Sequence, residues 1–108
     1  MVPLPLSPDD LERTLSSLEG WRFVQNALEK TYRFTGFCDA FAFMVRVAFE
    51  AEALRHHPDW RNVYDRVTIR LSTHDAGNRV TSLDVDLARR IEALDRPGRK
   101  DSQPTVRA

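Results

Sequence analysis

An apolar-rich run of eighteen residues, Phe37 to Leu54, bracketed by Gly36 and Pro58, most constrains what this chain can fold into. Phe37, Phe41, Met44, Val45, Ala48, Ala51 and Leu54 recur at helical spacing and predict one broad apolar face. Phe43, Val47 and Phe49 extend the apolar surface beyond that stripe. A helix apolar this far round needs neighbours on more than one side, and its excess surface predicts self-association. Pro58 sets its end, because the residue before proline disfavours helical backbone. Asp39, Arg46, Glu50 and Glu52 make the run too charged for a membrane span.

Shorter elements flank this helix. Ser7-Pro8-Asp9-Asp10 reads as a helix start, with Leu11, Leu15 and Leu18 as its apolar stripe and Gly20 as its stop. Trp21 to Val24 and Leu28 to Phe34 read as two strands joined at Gln25-Asn26-Ala27. Beyond Pro58, Val63 opens a strand pair in which Val67, Ile69 and Leu71 alternate with Arg66, Thr68 and Arg70. Thr81-Ser82-Leu83-Asp84 has the form of a capping box, with Asp in place of Glu. Leu83, Leu87, Ile91 and Leu94 continue that last helix. The predicted order is α-β-β-α-β-β-α. This is an α+β domain over residues 1–95, a four-stranded antiparallel sheet with helices packed on one face. Residues 96–108 carry no large apolar side chain except Val106 and are expected to form a disordered tail.

Sixteen basic residues balance sixteen acidic ones, so net charge makes no case for nucleic acid or membrane as partner. The lone Cys38 cannot form an intrachain disulfide, and the N-terminus has no basic segment leading into an apolar run. Both features fit a cytoplasmic protein.

The three histidines, His56, His57 and His74, fall within nineteen positions. Histidine changes charge near neutral pH, so the cluster suggests proton handling or metal binding. A helix C-terminus accounts for His56 and His57 structurally, since cationic side chains favour that end, but not for His74. Glu52, Asp59, Asp75 and Asp84 lie near enough in sequence to supply ligands, yet neither H-x-x-x-H nor H-E-x-x-H spacing occurs, which argues against a metal. Trp60 reads equally as a strand aromatic or as the wall of a site for a flat heteroaromatic ligand.

The run Glu52-Ala53-Leu54-Arg55-His56-His57-Pro58-Asp59-Trp60, then Asn62-Val63-Tyr64, then Leu71-Ser72-Thr73-His74-Asp75, resembles the pterin-4a-carbinolamine dehydratases. The resemblance covers roughly Trp21 to Leu94. It implies an enzyme, a hydro-lyase that removes water from 4a-hydroxytetrahydropterin to give the quinonoid dihydropterin. It further implies a pterin substrate, no metal or organic cofactor, a homodimer or homotetramer, and a link to aromatic amino-acid hydroxylases. His56 and His74 match the family's acid/base histidines, and His57 matches a pterin-binding one. Glu52 and Asp84 match acidic residues of the site, and Trp60 and Thr73 belong to the same motifs. Glu52, one turn before His56, is expected to face it. Nine residues separate His74 from Asp84 where many relatives have eight, with Gly77-Asn78-Arg79 in place of a glycine-rich turn. The competing class is a non-catalytic assembly or dimerisation protein on the same scaffold.

Overall fold

The structure, a computed structural model, describes residues 2–98 and Lys100. Helix α1 spans Pro8–Ser17, strands β1 and β2 span Arg22–Val24 and Ala27–Arg33, and helix α2 spans Phe37–Leu54. Strands β3 and β4 follow at Asp59–Val63 and Arg66–Leu71, and helix α3 at Ser82–Glu92. The expected α+β order is therefore observed. The four strands form one antiparallel sheet in the order β1-β2-β4-β3. None of the described helices is long and apolar enough to cross a membrane.

Alternation along the two central strands decides which face carries the helices. Leu28, Lys30 and Tyr32 of β2 and Val67, Ile69 and Leu71 of β4 are buried on one side. Glu29, Thr31, Arg33, Arg66, Thr68 and Arg70 point to the other side. Phe43 of α2 seats between Tyr32 and Phe34, with ring centroids 4.8 and 5.2 Å away.

Two local differences from the sequence reading have clear causes. The β1–β2 connection has two residues, not three: Val24 pairs with Ala27, and Gln25 and Asn26 both take positive φ (48° and 64°). That is the primed turn that right-twisted strands prefer, made here without glycine. The buried face of α2 is Ala40, Phe43, Val47 and Ala51, whereas Phe37, Phe41, Val45, Ala48 and Phe49 are exposed. A helix apolar on nearly all sides carries two stripes, and periodicity alone does not choose between them.

A buried polar hub closes the far end of the sheet. Lys30, on the core face at 5% exposure, gives hydrogen bonds to the Glu19 carbonyl (2.9 Å) and to Glu92 Oε2 (2.7 Å). The same carboxylate accepts from Trp21 Nε1 (3.0 Å) and from the Tyr32 hydroxyl. Gly20 makes room for this lysine: its φ is +85°, and a Cβ there would lie 2.9 Å from Lys30 Cε. Most of the segment expected to be a tail (residues 99 and 101–108) lies outside the described residues. Arg96, however, is buried, with its guanidinium 5.0 Å from the Tyr32 ring centroid. Lys100 N donates to the Arg33 carbonyl at 2.6 Å.

Burial pushes the Glu92 carboxyl upward, but hydrogen bonds from Lys30, Tyr32 and Trp21 and the Lys30 charge outweigh it and hold it below its usual value. A lowered folded-state value stabilises the fold above the ordinary glutamate range, about pH 4.3, and that contribution is lost as pH falls through the folded value. Glu92→Gln should therefore remove part of the acid sensitivity of unfolding. At neutral pH it should cost about 2 kcal/mol, less than breaking a fully buried pair. Urea midpoints at pH 3 to 7 for both proteins check this: two parallel curves would show that Glu92 carries no such linkage.

Candidate active site

Helix α2 ends in a turn that fixes His56. Leu54 is its last helical residue, and Arg55 takes left-handed backbone (φ 52°, ψ 41°). Arg55 N donates to the Glu52 carbonyl (3.0 Å) and His56 N to the Ala51 carbonyl (3.0 Å). This is the paired-bond Schellman stop, with arginine where glycine is usual, at a cost of roughly 1–2 kcal/mol. The turn carries His56 under the helix end, to 8% exposure, and leaves His57 outside.

The expected Glu52–His56 pairing is not what forms. Glu52 Oε1 lies 2.9 Å from His57 Nε2, and both side chains are exposed. An i,i+4 pair needs helix through His56, and the left-handed Arg55 breaks that register. His56 instead places Nε2 2.5 Å from Asp84 Oδ1.

Asp84 is fully buried, on α3. It is the third helical residue after Thr81, and the capping box read from the sequence is present: the Asp84 side chain accepts from Thr81 N at 2.8 Å. Thr73 Oγ1 donates to the same oxygen, Oδ2, at 2.8 Å and lies 2.6 Å from Thr81 Oγ1. Asp84 is thus an acceptor for a backbone amide, a hydroxyl and an imidazole at once. A carboxylate oxygen accepts, so its contact with Nε2 favours the imidazole tautomer with the proton on Nε2 and the lone pair on Nδ1. Among the described residues Nδ1 has no hydrogen-bond partner, nor is it a sealed, unsatisfied atom.

His74 follows Thr73 directly and opens a single 3-10 turn, His74–Ala76. It is exposed, with Nδ1 3.3 Å from Asn78 Oδ1, a weak contact. Gly77 and Asn78, both at positive φ, absorb the loop's length, and Thr73 N pairs back with the Arg79 carbonyl at 2.8 Å. The longer loop therefore does not displace Asp84 from its capping position. Trp60 lies half-buried on β3, opposite Ile69 and against the edge of the core, outside this hydrogen-bond network. Thr81 and Asn78 join the site beyond the residues predicted for it: the T-x-x-D cap puts Thr81 N on the Asp84 carboxylate, and Asn78 meets His74 from the loop. Among the described residues no group of three or more His, Cys, Asp or Glu side chains is placed to hold a metal ion.

The sequence model of a family described as "Pterin 4 alpha carbinolamine dehydratase" matches residues 4–94. A protein of Opitutus terrae, provisionally named pterin-4-alpha-carbinolamine dehydratase, is 59% identical over 93 residues, covering 86% of this chain and 96% of its own. A Synechococcus protein with the same provisional name is 50% identical over 90 residues, covering 82% and 96%. A crystal structure described as a transcriptional coactivator/pterin dehydratase from Brucella melitensis superposes with a TM-score of 0.78 at 40% identity. It covers 82% of this chain and 96% of that one.

Proposed function

This chain belongs to the pterin 4 alpha carbinolamine dehydratase family and is a hydro-lyase, and on that premise we propose that it dehydrates a 4a-hydroxytetrahydropterin by acid–base chemistry of His56 and His74. The observation that carries the mechanism is the His56–Asp84 contact. Dehydration breaks the bond from C4a to its hydroxyl oxygen, which leaves as water after taking a proton. The N5 proton goes to a base, and the electron pair it leaves forms the C4a–N5 double bond of the quinonoid product. Both proton steps suit imidazole near neutral pH, and neither needs a redox partner.

The division of labour follows from the surroundings of each ring. His56, oriented by Asp84 with Nδ1 open, accepts the N5 proton. His74, exposed and beside Thr73, protonates the departing hydroxyl in its imidazolium form. His57, held outward with Glu52, binds the pterin ring, and Trp60, half-buried on β3, is assigned to the same site by its motif alone. This reading gives the product a place in cofactor recycling beside aromatic amino-acid hydroxylases.

Self-association belongs to the same proposal. Phe37, Phe41, Val45 and Phe49 form an exposed ridge at four-residue spacing along α2, with Phe49 at 73% exposure. Ridges of this kind pack into the grooves of a second helix, and a second copy of this chain presents the same ridge. The scaffold reading draws on the same ridge, but an assembly role does not call for an exposed His74 and His57 beside the His56–Asp84 pair, and the catalytic reading is favoured on that ground.

His56→Ala or His74→Ala should lower kcat about 10²–10⁴-fold, whereas His57→Ala should raise KM more than it lowers kcat. Stopped-flow dehydration of chemically generated 4a-hydroxytetrahydropterin, on variants shown by circular dichroism to be folded, makes the comparison. Unchanged turnover in every histidine variant would remove the mechanism and favour the scaffold. Phe41→Glu with Phe49→Glu should reduce the mass measured by sedimentation. A wild-type protein that sediments as a monomer at micromolar concentration would remove the proposed interface.

A further inference from the structure

On the sheet face turned away from the helices, cations converge with no acid among them. The two ends of this face differ sharply. At one end Arg22, Glu29, Arg70 and Asp59 stand in one cross-strand row and alternate in sign. There Glu29 pairs with Arg70 at 2.8 Å and with Arg22 at 3.9 Å. At the other end Arg33 of β2 lies directly opposite Arg66 of β4. Like charges in that position repel and destabilise a sheet. Arg61 of β3 lies beside them, opposite Thr68. Lys100 completes the ring, brought in by its backbone bond to Arg33. The four cations surround a concavity of about 490 Å³, and no acidic side chain lines it among the described residues. None of the four is in an ion pair among those residues.

The floor adds a hydrogen-bond donor. Thr31 Oγ1 and Thr68 Oγ1 lie 2.9 Å apart across the β2–β4 pair. Whichever hydroxyl accepts that bond keeps its own proton free for a ligand.

We propose that this concavity binds a small phosphate-bearing anion with at least two negative charges. Such a ligand removes the Arg33–Arg66 repulsion, and guanidinium forks match phosphate oxygens in pairs. The volume lies within the range of small-molecule sites. A nucleic-acid strand is a poorer occupant, because no aromatic side chain lines the concavity to stack a base. The site lies on the opposite sheet face from the buried side chains of β2 and β4, and it is independent of the proposed dehydratase chemistry.

Titration of the isotopically labelled full chain with inorganic pyrophosphate, followed by amide NMR at low salt, tests it. The expected result is saturable shifts centred on Thr31 and Thr68. The affinity should fall at least tenfold in Arg61→Gln and in Arg66→Gln, both on exposed side chains outside the proposed catalytic site. Pyrophosphate should also raise the melting temperature of the wild type and not that of Arg66→Gln, and turnover should be unchanged in both variants. Shifts that never saturate, that centre on His56 and His74, or that persist in both arginine variants would overturn the proposal. Tighter binding of a thymidine oligonucleotide than of pyrophosphate on the same residues would assign the face to single-stranded nucleic acid and overturn it as well.

Discussion

Asp84 is the residue on which the arrangement of the site depends. A fully buried carboxylate is unfavourable unless its lone pairs are filled, and three groups from different segments fill these. Thr81 N holds it from the start of α3, Thr73 from the turn after β4, and His56 from the stop of α2. Satisfying one carboxylate thus brings three chain segments to one point. The position also suits the charge, since the first turn of a helix favours an anion. This packing orients the imidazole, with Nε2 held against Asp84 and no hydrogen-bond partner at Nδ1 among the described residues.

The other end of α3 repeats the device for stability. Glu92, its last residue, draws together Lys30 and Tyr32 of β2 and Trp21 just before β1. Arg96 then folds back, Nη1 3.4 Å from the Glu92 carbonyl, and covers the Tyr32 ring. Helix α3 is therefore pinned by a carboxylate at each end, one serving the site and one the core. Among the described residues, no such anion lines the concavity beside Arg33, Arg61 and Arg66 on the open sheet face.

Much of this was legible where the signal is local. Ser7-Pro8 and the Thr81-x-x-Asp84 cap each state a helix start through neighbouring atoms, and both lie at those starts in the structure, whereas α2 stops at Leu54, short of Pro58, through the left-handed Arg55. Features that depend on distant partners were not legible. Lys30 is buried because Glu92, 62 residues away, receives it. The inner stripe of α2 is set by the sheet beneath it, and a helix rich in apolar residues on every side does not declare it. The His57–Glu52 pairing was not legible because Arg55 occupies a left-handed position that glycine usually fills. The histidines were identifiable as a group, but which one is buried depends on that single backbone reversal.

In the proposed mechanism Asp84 holds His56 as the Nε2–H tautomer and leaves Nδ1 to accept a proton. Long-range proton–nitrogen NMR of the imidazoles in the folded wild-type protein reads this directly. The account predicts a protonated Nε2 and an unprotonated Nδ1 at His56, with that preference lost in Asp84→Ala. A His56 ring protonated at Nδ1, or one exchanging evenly between tautomers in the wild type, would contradict it.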